Sequence, residues 1–319
     1  MTAGTDWKET IPEGEAEQFE KFATILAGLQ KARGGKMRAL HAKQHAGLRA
    51  ELEVLADLPE HLRVGPFKET KKYDAYVRFS NGASVKAGDD KPDVRAVAIK
   101  ILGVPGKKLI PGMEDETTQD FLMLNTPALA FRTVDEFVFF AQASTSQALL
   151  PFRLFMKMGF GMFGFLKRLL ASAKKVDSLA TQKYFTVAPI RFGAHAARLS
   201  LAPKQSDAGR NGETLRDDLL ARMKKGPLEW ELRAQLFVND DVTPIEDTSR
   251  EWPEDVSAPI PLAKVVIRDQ EPVDELVESL SFDPWHALVE LRPLGAAMRA
   301  RSPAYRESTK TRGAAKEPR

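Results

Sequence analysis

Seven short runs of β-branched and aromatic residues, separated by glycine, proline, asparagine or aspartate, set what this chain can become. They read AYVRFS (75–80), VRAVAIKIL (94–102), DFLMLN (120–125), FTVAPIRFG (185–193), ARLSLAP (197–203), LEWELRAQLFV (228–238) and PLAKVVIRD (261–269). Runs of this length bounded by turn formers are strands. Helical patterns lie around and between them. Phe19, Phe22, Ile25, Leu26 and Leu29 recur at three- and four-residue steps within 14–33, and the glycines at 34 and 35 would stop that helix. Further helical blocks start at 133 and 151, and ETLRDDLLARMKKG ends on Gly226. From Leu288 the chain reads as helix apart from Pro293 and Pro303, while KMRALHAKQHAGLRAELEVLADL fits helix and strand alike. The expected class is α+β: an antiparallel barrel or strongly bent sheet of about eight strands with helices packed outside. No repeat or low-complexity linker divides the 319 residues. One domain is expected over 31–313, after a helical arm over 1–30 and before a basic tail over 314–319.

Composition narrows the chemistry. There is no cysteine, which excludes disulfides, cysteine-ligated metals and a thiol nucleophile. The 47 basic and 44 acidic residues nearly cancel to +3, so a nucleic-acid partner is not expected. The polar, acidic start lacks the pattern of a secretory signal, and a cytoplasmic location is expected. The segment PFRLFMKMGFGMFGFLKRLL (151–170) is the most apolar, yet Lys157 and Lys167 interrupt it well short of the ~18–20 uncharged residues of a membrane span. It reads as a buried or amphipathic helix, with peripheral membrane contact as the alternative.

Of the five histidines, none forms an HExxH pair, and no nucleophile elbow, phosphate loop or dinucleotide fingerprint is present. What remains is a set of small motifs: RALHAK (38–43), YVRFSNG (76–82), DVRAVAIK (93–100), LMLNTPALAFRTVDEF (122–137) and RSPAYRESTKTR (301–312). On a helix Arg301 and Tyr305 share a face, and Arg312 lies two turns further on that face. A fixed cation favours the ionised phenol of its neighbour, and such an oxygen is an anionic ligand for a metal.

In order and character these motifs resemble the haem catalase family over about residues 30–313. The resemblance implies a catalase-like barrel binding haem b (iron protoporphyrin IX), with Tyr305 as axial ligand to the iron. Arg38, Arg78 and Arg312 would pair with the propionates and Arg301 with the tyrosinate. His41 would take a proton from the near oxygen of a peroxide and return it to the far one, so that the O–O bond breaks. Asn125 would donate a hydrogen bond to the same peroxide, Ser80 would orient the imidazole, and Phe137 would stack on the haem. His45, His61, His195 and His286 match no site.

The chain departs from the family's pattern in several places. Pro303 stands where a phenylalanine is usual, Leu40 replaces a channel-narrowing valine, the loop 101–119 is long, and no NADPH is expected. An altered channel would let an organic donor reach the haem edge, which implies a haem peroxidase that uses hydrogen peroxide or an organic hydroperoxide to oxidise small organic or lipid donors, with weak catalase activity. Two alternatives stand beside it: a fatty-acid hydroperoxide-transforming enzyme of the catalase-like allene oxide synthase type, and a non-catalytic haem carrier or membrane-surface protein. A homo-oligomer is compatible with either.

Overall fold

The computed structural model describes residues 2–32, 38, 40–83, 86–143, 149–314, 317 and 318. Nine strands form one antiparallel sheet: β1 (Gln44–Val54), β2 (Lys72–Asn81), β3 (Arg95–Ile101), β4 (Gln119–Leu124), β5 (Tyr184–Phe185), β6 (Ile190–Phe192), β7 (His195–Pro203), β8 (Leu228–Leu236) and β9 (Ile260–Ile267). Their order is β5-β4-β3-β2-β1-β9-β8-β7-β6, and β5 also pairs with β7. Eight strands therefore close into a barrel, with β6 lying alongside β7. Closure removes the exposed edges that an open sheet would leave.

The segment that fitted helix and strand alike is β1. Its Ala46, Leu48, Ala50, Leu52 and Val54 are buried, a period of two that belongs to a strand although Ala, Leu and Glu favour helix. Conversely, the single run expected over 185–193 is two short strands. Val187 takes a positive φ of 62° and Pro189 follows, so the ladder breaks between β5 and β6.

Inward side chains fill the barrel. Phe79 packs 5.8 Å from Trp230 and 6.3 Å from Tyr184, and Phe67 stacks 5.9 Å from Phe192. The void left between Val77, Phe79, Trp230 and their neighbours is only about 10 Å³. Nothing larger than a water fits there, so any ligand must bind outside the barrel.

Among the described residues seven α-helices decorate it: α1 (Glu15–Ala32), α2 (Val134–Ala143), α3 (Leu150–Met158), α4 (Gly161–Ser172), α5 (Leu215–Lys225), α6 (Asp274–Ser279) and α7 (Ala296–Arg312). The glycines at 34 and 35, read as a helix stop, lie outside the described residues. α5 opens on a Thr214–Asp217 capping box and ends at Gly226. The apolar block from 151 is a hairpin, broken at Gly159 with φ 55°. The last helix starts at Ala296 rather than Leu288, because Pro293 and Gly295 (φ 86°) interrupt what precedes it, and it runs through Pro303.

α7 is held from both sides. Arg299 in its first turn donates to Glu9 at 2.6 Å and Glu15 at 2.6 Å, and reaches Glu246 at 3.2 Å. At the other end Arg312 donates to the Glu278 and Leu280 carbonyls at 3.3 and 3.4 Å, at the C-terminal end of α6. α6 itself sits close on β1 because Gly47 has no side chain: a Cβ there would lie 2.6 Å from Val277 Cβ.

Candidate functional site

The outer face of β2, β3 and β4 builds the site. Along β2, Arg78 and Ser80 alternate with the inward Val77 and Phe79. Opposite them on β3 stand Ala98 and Ala96, and beyond those on β4 stand Leu122 and Leu124. Two alanines in the middle row keep this patch low and flat.

His41 stands at the end of β2 on an unusual backbone. Its φ is 58°, in the left-handed region that costs a non-glycine residue roughly 1–2 kcal/mol. The local bonding enforces it: His41 and Ala42 donate from their amides to the Gly82 and Ala83 carbonyls at 3.2 and 3.1 Å. Just beyond, the β1–β2 register shifts between Gln44 and Ala46. Strain fixed by surrounding bonds is a mark of functional positions. The ring faces Ser80, with Oγ 3.3 Å from Nδ1, and the His41 carbonyl accepts from Arg78 Nη2 at 2.9 Å. Burial, then the cations of Arg78, Arg301 and Arg38, bring its pKa down to about 3. The imidazole is therefore a neutral base at neutral pH.

Arg38, Arg78 and Arg312, far apart in sequence, converge on the end of α6. Arg38 donates to the Glu278 and Leu280 carbonyls at 3.2 and 2.8 Å, the two that Arg312 also reaches. Arg78 pairs with the Glu278 carboxylate at 2.9 Å and with Gln44 at 3.1 Å. Burial and mutual repulsion, opposed by Glu278, lower the pKa of Arg78 and of Arg312 to about 10 each. Three cations thus face one carboxylate, an excess of two positive charges. Arg38 Nε lies 3.3 Å from Glu278 Oε1, yet this buried nitrogen makes no hydrogen bond among the described residues. A cleft of about 560 Å³ lined by Gln44, Asp274, Glu278 and Arg312 opens beside the cluster, a size typical of ligand pockets.

Tyr305 faces the same cations. Burial raises its phenol pKa above the usual value, Asp283 adds to this, and Arg301, Arg38 and Arg78 oppose it. Burial thus favours the neutral phenol and Arg301 the ionised one; Arg301 points Nη1 at Met298 Sδ, 3.6 Å away. Ionising Tyr305 takes a further positive charge such as a bound metal ion. His41 and Tyr305 share Arg38, Arg78 and Arg301 as electrostatic neighbours, so one charged wall serves both.

Asn125 follows β4 at the same end. Its Oδ1 accepts from the Arg95 amide at 2.7 Å, and Nδ2 donates to Gln182 only at 3.4 Å. Two strand spacings, about 10 Å, separate it from the Ser80 row. Phe137 is the outlier. Its ring packs edge-on to Phe131 at 5.2 Å, in a cluster with Phe140 and Phe165, and among the described residues no contact joins it to the arginines.

Similarity searches bear on this arrangement. No family model matches the chain. A catalase-related peroxidase of Mycolicibacterium paratuberculosis is 27% identical over 231 residues, covering 67% of this chain and 69% of that protein. Among solved structures a fungal catalase superposes with a TM-score of 0.65 at 18% identity, over 86% of this chain and 59% of its own. A bacterial catalase gives 0.64 at 17%, over 98% and 62%. Catalase A from Saccharomyces cerevisiae gives 0.64 at 14%, over 98% and 67%. The fold is catalase-like. The chain spans about three-fifths of the first two catalases that it matches in structure.

Other charged groups of the catalase-like fold escaped the sequence reading. Glu278 gave no signal, since only the fold brings it to the arginines. Lys100 and Asp120 did: both interrupt apolar strands, and they face each other across the β3–β4 register. Lys100 donates to Asp120 at 2.8 and 2.9 Å and to Glu317 at 2.6 Å. Glu317, in the stretch read as a basic tail, also accepts from Thr118 at 2.9 Å and lies 3.2 Å from His286 Nδ1. Asp283, beside this network, is pushed up to about 6 by burial.

Proposed function

We propose that the chain binds haem b on the outer face of β2–β4 and acts as a peroxidase, using hydrogen peroxide or an organic hydroperoxide to oxidise organic donors, with weak catalase activity. The observation that carries this reading is the excess of two positive charges on the Arg38, Arg78 and Arg312 cluster. A dicarboxylate macrocycle matches that excess, and Arg38 Nε, which makes no well-aligned hydrogen bond to Glu278, could turn to it.

Tyr305 would provide the iron's protein ligand, its phenolate offset by Arg301, and the flat Ala96–Ala98 patch suits a planar group. When bound, the haem supplies the redox centre at which peroxide is reduced. The chain's own residues handle protons. With Nδ1–H donating to Ser80 Oγ, His41 Nε2 is the unprotonated nitrogen, free to take a proton from one peroxide oxygen and deliver it to the other. Asn125 Nδ2, only weakly engaged with Gln182, is available to donate to the same peroxide. The name of the mycobacterial relative favours peroxidase over catalase.

Absorption spectroscopy of the purified protein, followed by peroxide with and without a phenolic donor, tests the reading. A Soret band with donor oxidation is expected. A colourless protein that takes up no added haem, or a Tyr305→Phe variant with an unchanged spectrum, would refute it. His41→Ala should retain the band and slow peroxide consumption by roughly 10²–10⁴-fold.

A further inference from the structure

The α3–α4 hairpin turns an apolar face to solvent. Phe152 is 64% exposed, Met156 69%, Phe160 83%, Phe163 62% and Leu170 75%. These side chains form one surface. Phe152, Phe155 and Met156 follow at helical spacing, Phe155 meets Phe160 edge-on at 6.2 Å, and Phe163 and Leu170 continue along α4. At about 200 Å² per large side chain the stripe presents on the order of 700 Å², more than monomers ordinarily leave uncovered. The opposite face is already docked. Leu154 and Phe165 are buried, and Phe165 packs against Phe131 and Phe140 at 5.7 and 5.5 Å.

Charge decides what covers the stripe. Between Glu136 and Asp177 the chain has no acidic residue, in a protein with 44 of them. Lys157, Lys167, Lys174 and Lys175 are all exposed there. Lys157 sits 6.0 Å over the Phe139 ring, and Lys175 has Asp90 at 3.4 Å. Two copies joined face to face would set these lysines against one another. An anionic surface would match them. No helix among the described residues is long and apolar enough to cross a membrane.

We propose that the α3–α4 hairpin seats the protein on an anionic lipid bilayer. Phe152, Phe160 and Phe163 enter the boundary between headgroups and acyl chains, and the lysines meet lipid phosphates. The docking is independent of haem and peroxide.

Co-sedimentation of the full-length protein with vesicles tests it. Vesicles of phosphatidylcholine with phosphatidylglycerol should pellet the protein at low salt. Pure phosphatidylcholine, or high salt, should reduce partition at least about tenfold. Phe160→Ser combined with Phe163→Ser should lower it by about a hundredfold. Lys157→Gln with Lys167→Gln, which spares the apolar face, should lower it by about tenfold. Three outcomes would overturn the proposal: wild type stays in the supernatant with anionic vesicles, both double variants pellet like wild type, or wild type is a solution dimer that Phe160→Ser with Phe163→Ser dissociates. Because the readout needs no turnover, failure here leaves the peroxidase reading standing, and the converse holds.

Discussion

Glu317→Gln would remove one of the two carboxylates that neutralise Lys100. The Lys100 and Asp120 side chains are wholly buried and Glu317 nearly so, at 6%. Glu317 accepts from Lys100 at 2.6 Å and from Thr118 at 2.9 Å. A hydrogen bond to a charged group is worth about 1.5–3 kcal/mol net. Asp120 stays to hold the ammonium, so the loss should be about 2 kcal/mol rather than the ~3–5 kcal/mol of an orphaned buried charge. Lys100→Met instead leaves Asp120 and Glu317 without their shared ammonium and should fall in that higher range. Lys100→Met with Glu317→Gln removes one charge of each sign, and its cost should fall short of the summed singles by about 1–2 kcal/mol. Urea unfolding at constant slope measures all three. A Glu317→Gln variant within about 0.5 kcal/mol of wild type, or strictly additive singles, would show that Glu317 is not seated against Lys100.

Other substitutions probe the site's supports. Arg78→Met loses bonds to His41, Gln44 and Glu278; a destabilisation of about 3 kcal/mol is expected in urea melts, with slower peroxide turnover because His41 is freed. Gly47→Ala places a methyl 2.6 Å from Val277 Cβ; the overpacking should cost about 1–3 kcal/mol and, by displacing α6, weaken haem retention in a dilution assay. His45 is buried beside Asp89 and lowered to about 4, chiefly by burial. Its folded pKa lies below the unfolded ~6.5, so its contribution is complete above that pH and is lost as pH falls towards 4. His45→Gln should accordingly show a smaller drop in urea midpoint between pH 7 and pH 5 than wild type. His41, neutral down to about pH 3, predicts that its proposed proton transfer gives no acid limb above pH 5 in peroxide kinetics.

Strands, caps and breaks were largely legible because they depend on local chemistry: turn formers bound the runs, Thr214 and Asp217 cap α5, and Gly226 ends it. β1 was ambiguous because propensity and environment disagree; only the barrel on one side and α6 on the other make its alternation count. The motifs located His41, Ser80, Arg78, Arg38 and Arg312 but not what gathers them. Glu278 and the α6 carbonyls do that, and neither has a local signature. Phe137 shows the converse limit, since spacing from Asn125 says nothing of the Phe131 ring that it meets.

The seam between the first and last strands of the barrel acquires a kinetic meaning from this arrangement. β1 meets β9 through four register pairs, Glu51–Val54 against Ala263–Val266, joining the beginning of the barrel to its end. Pairings between such distant segments form late and open early. α6 follows β9 in the chain and packs on β1 and β2, its Asp274 accepting from the Gly47 amide at 2.7 Å and its Glu278 holding Arg38 and Arg78. An anion that bridges those arginines therefore works as a clasp on the barrel. Loading it should slow hydrogen exchange along β1 and β9 far more than along β7 and β8, tying resistance to unfolding directly to occupancy.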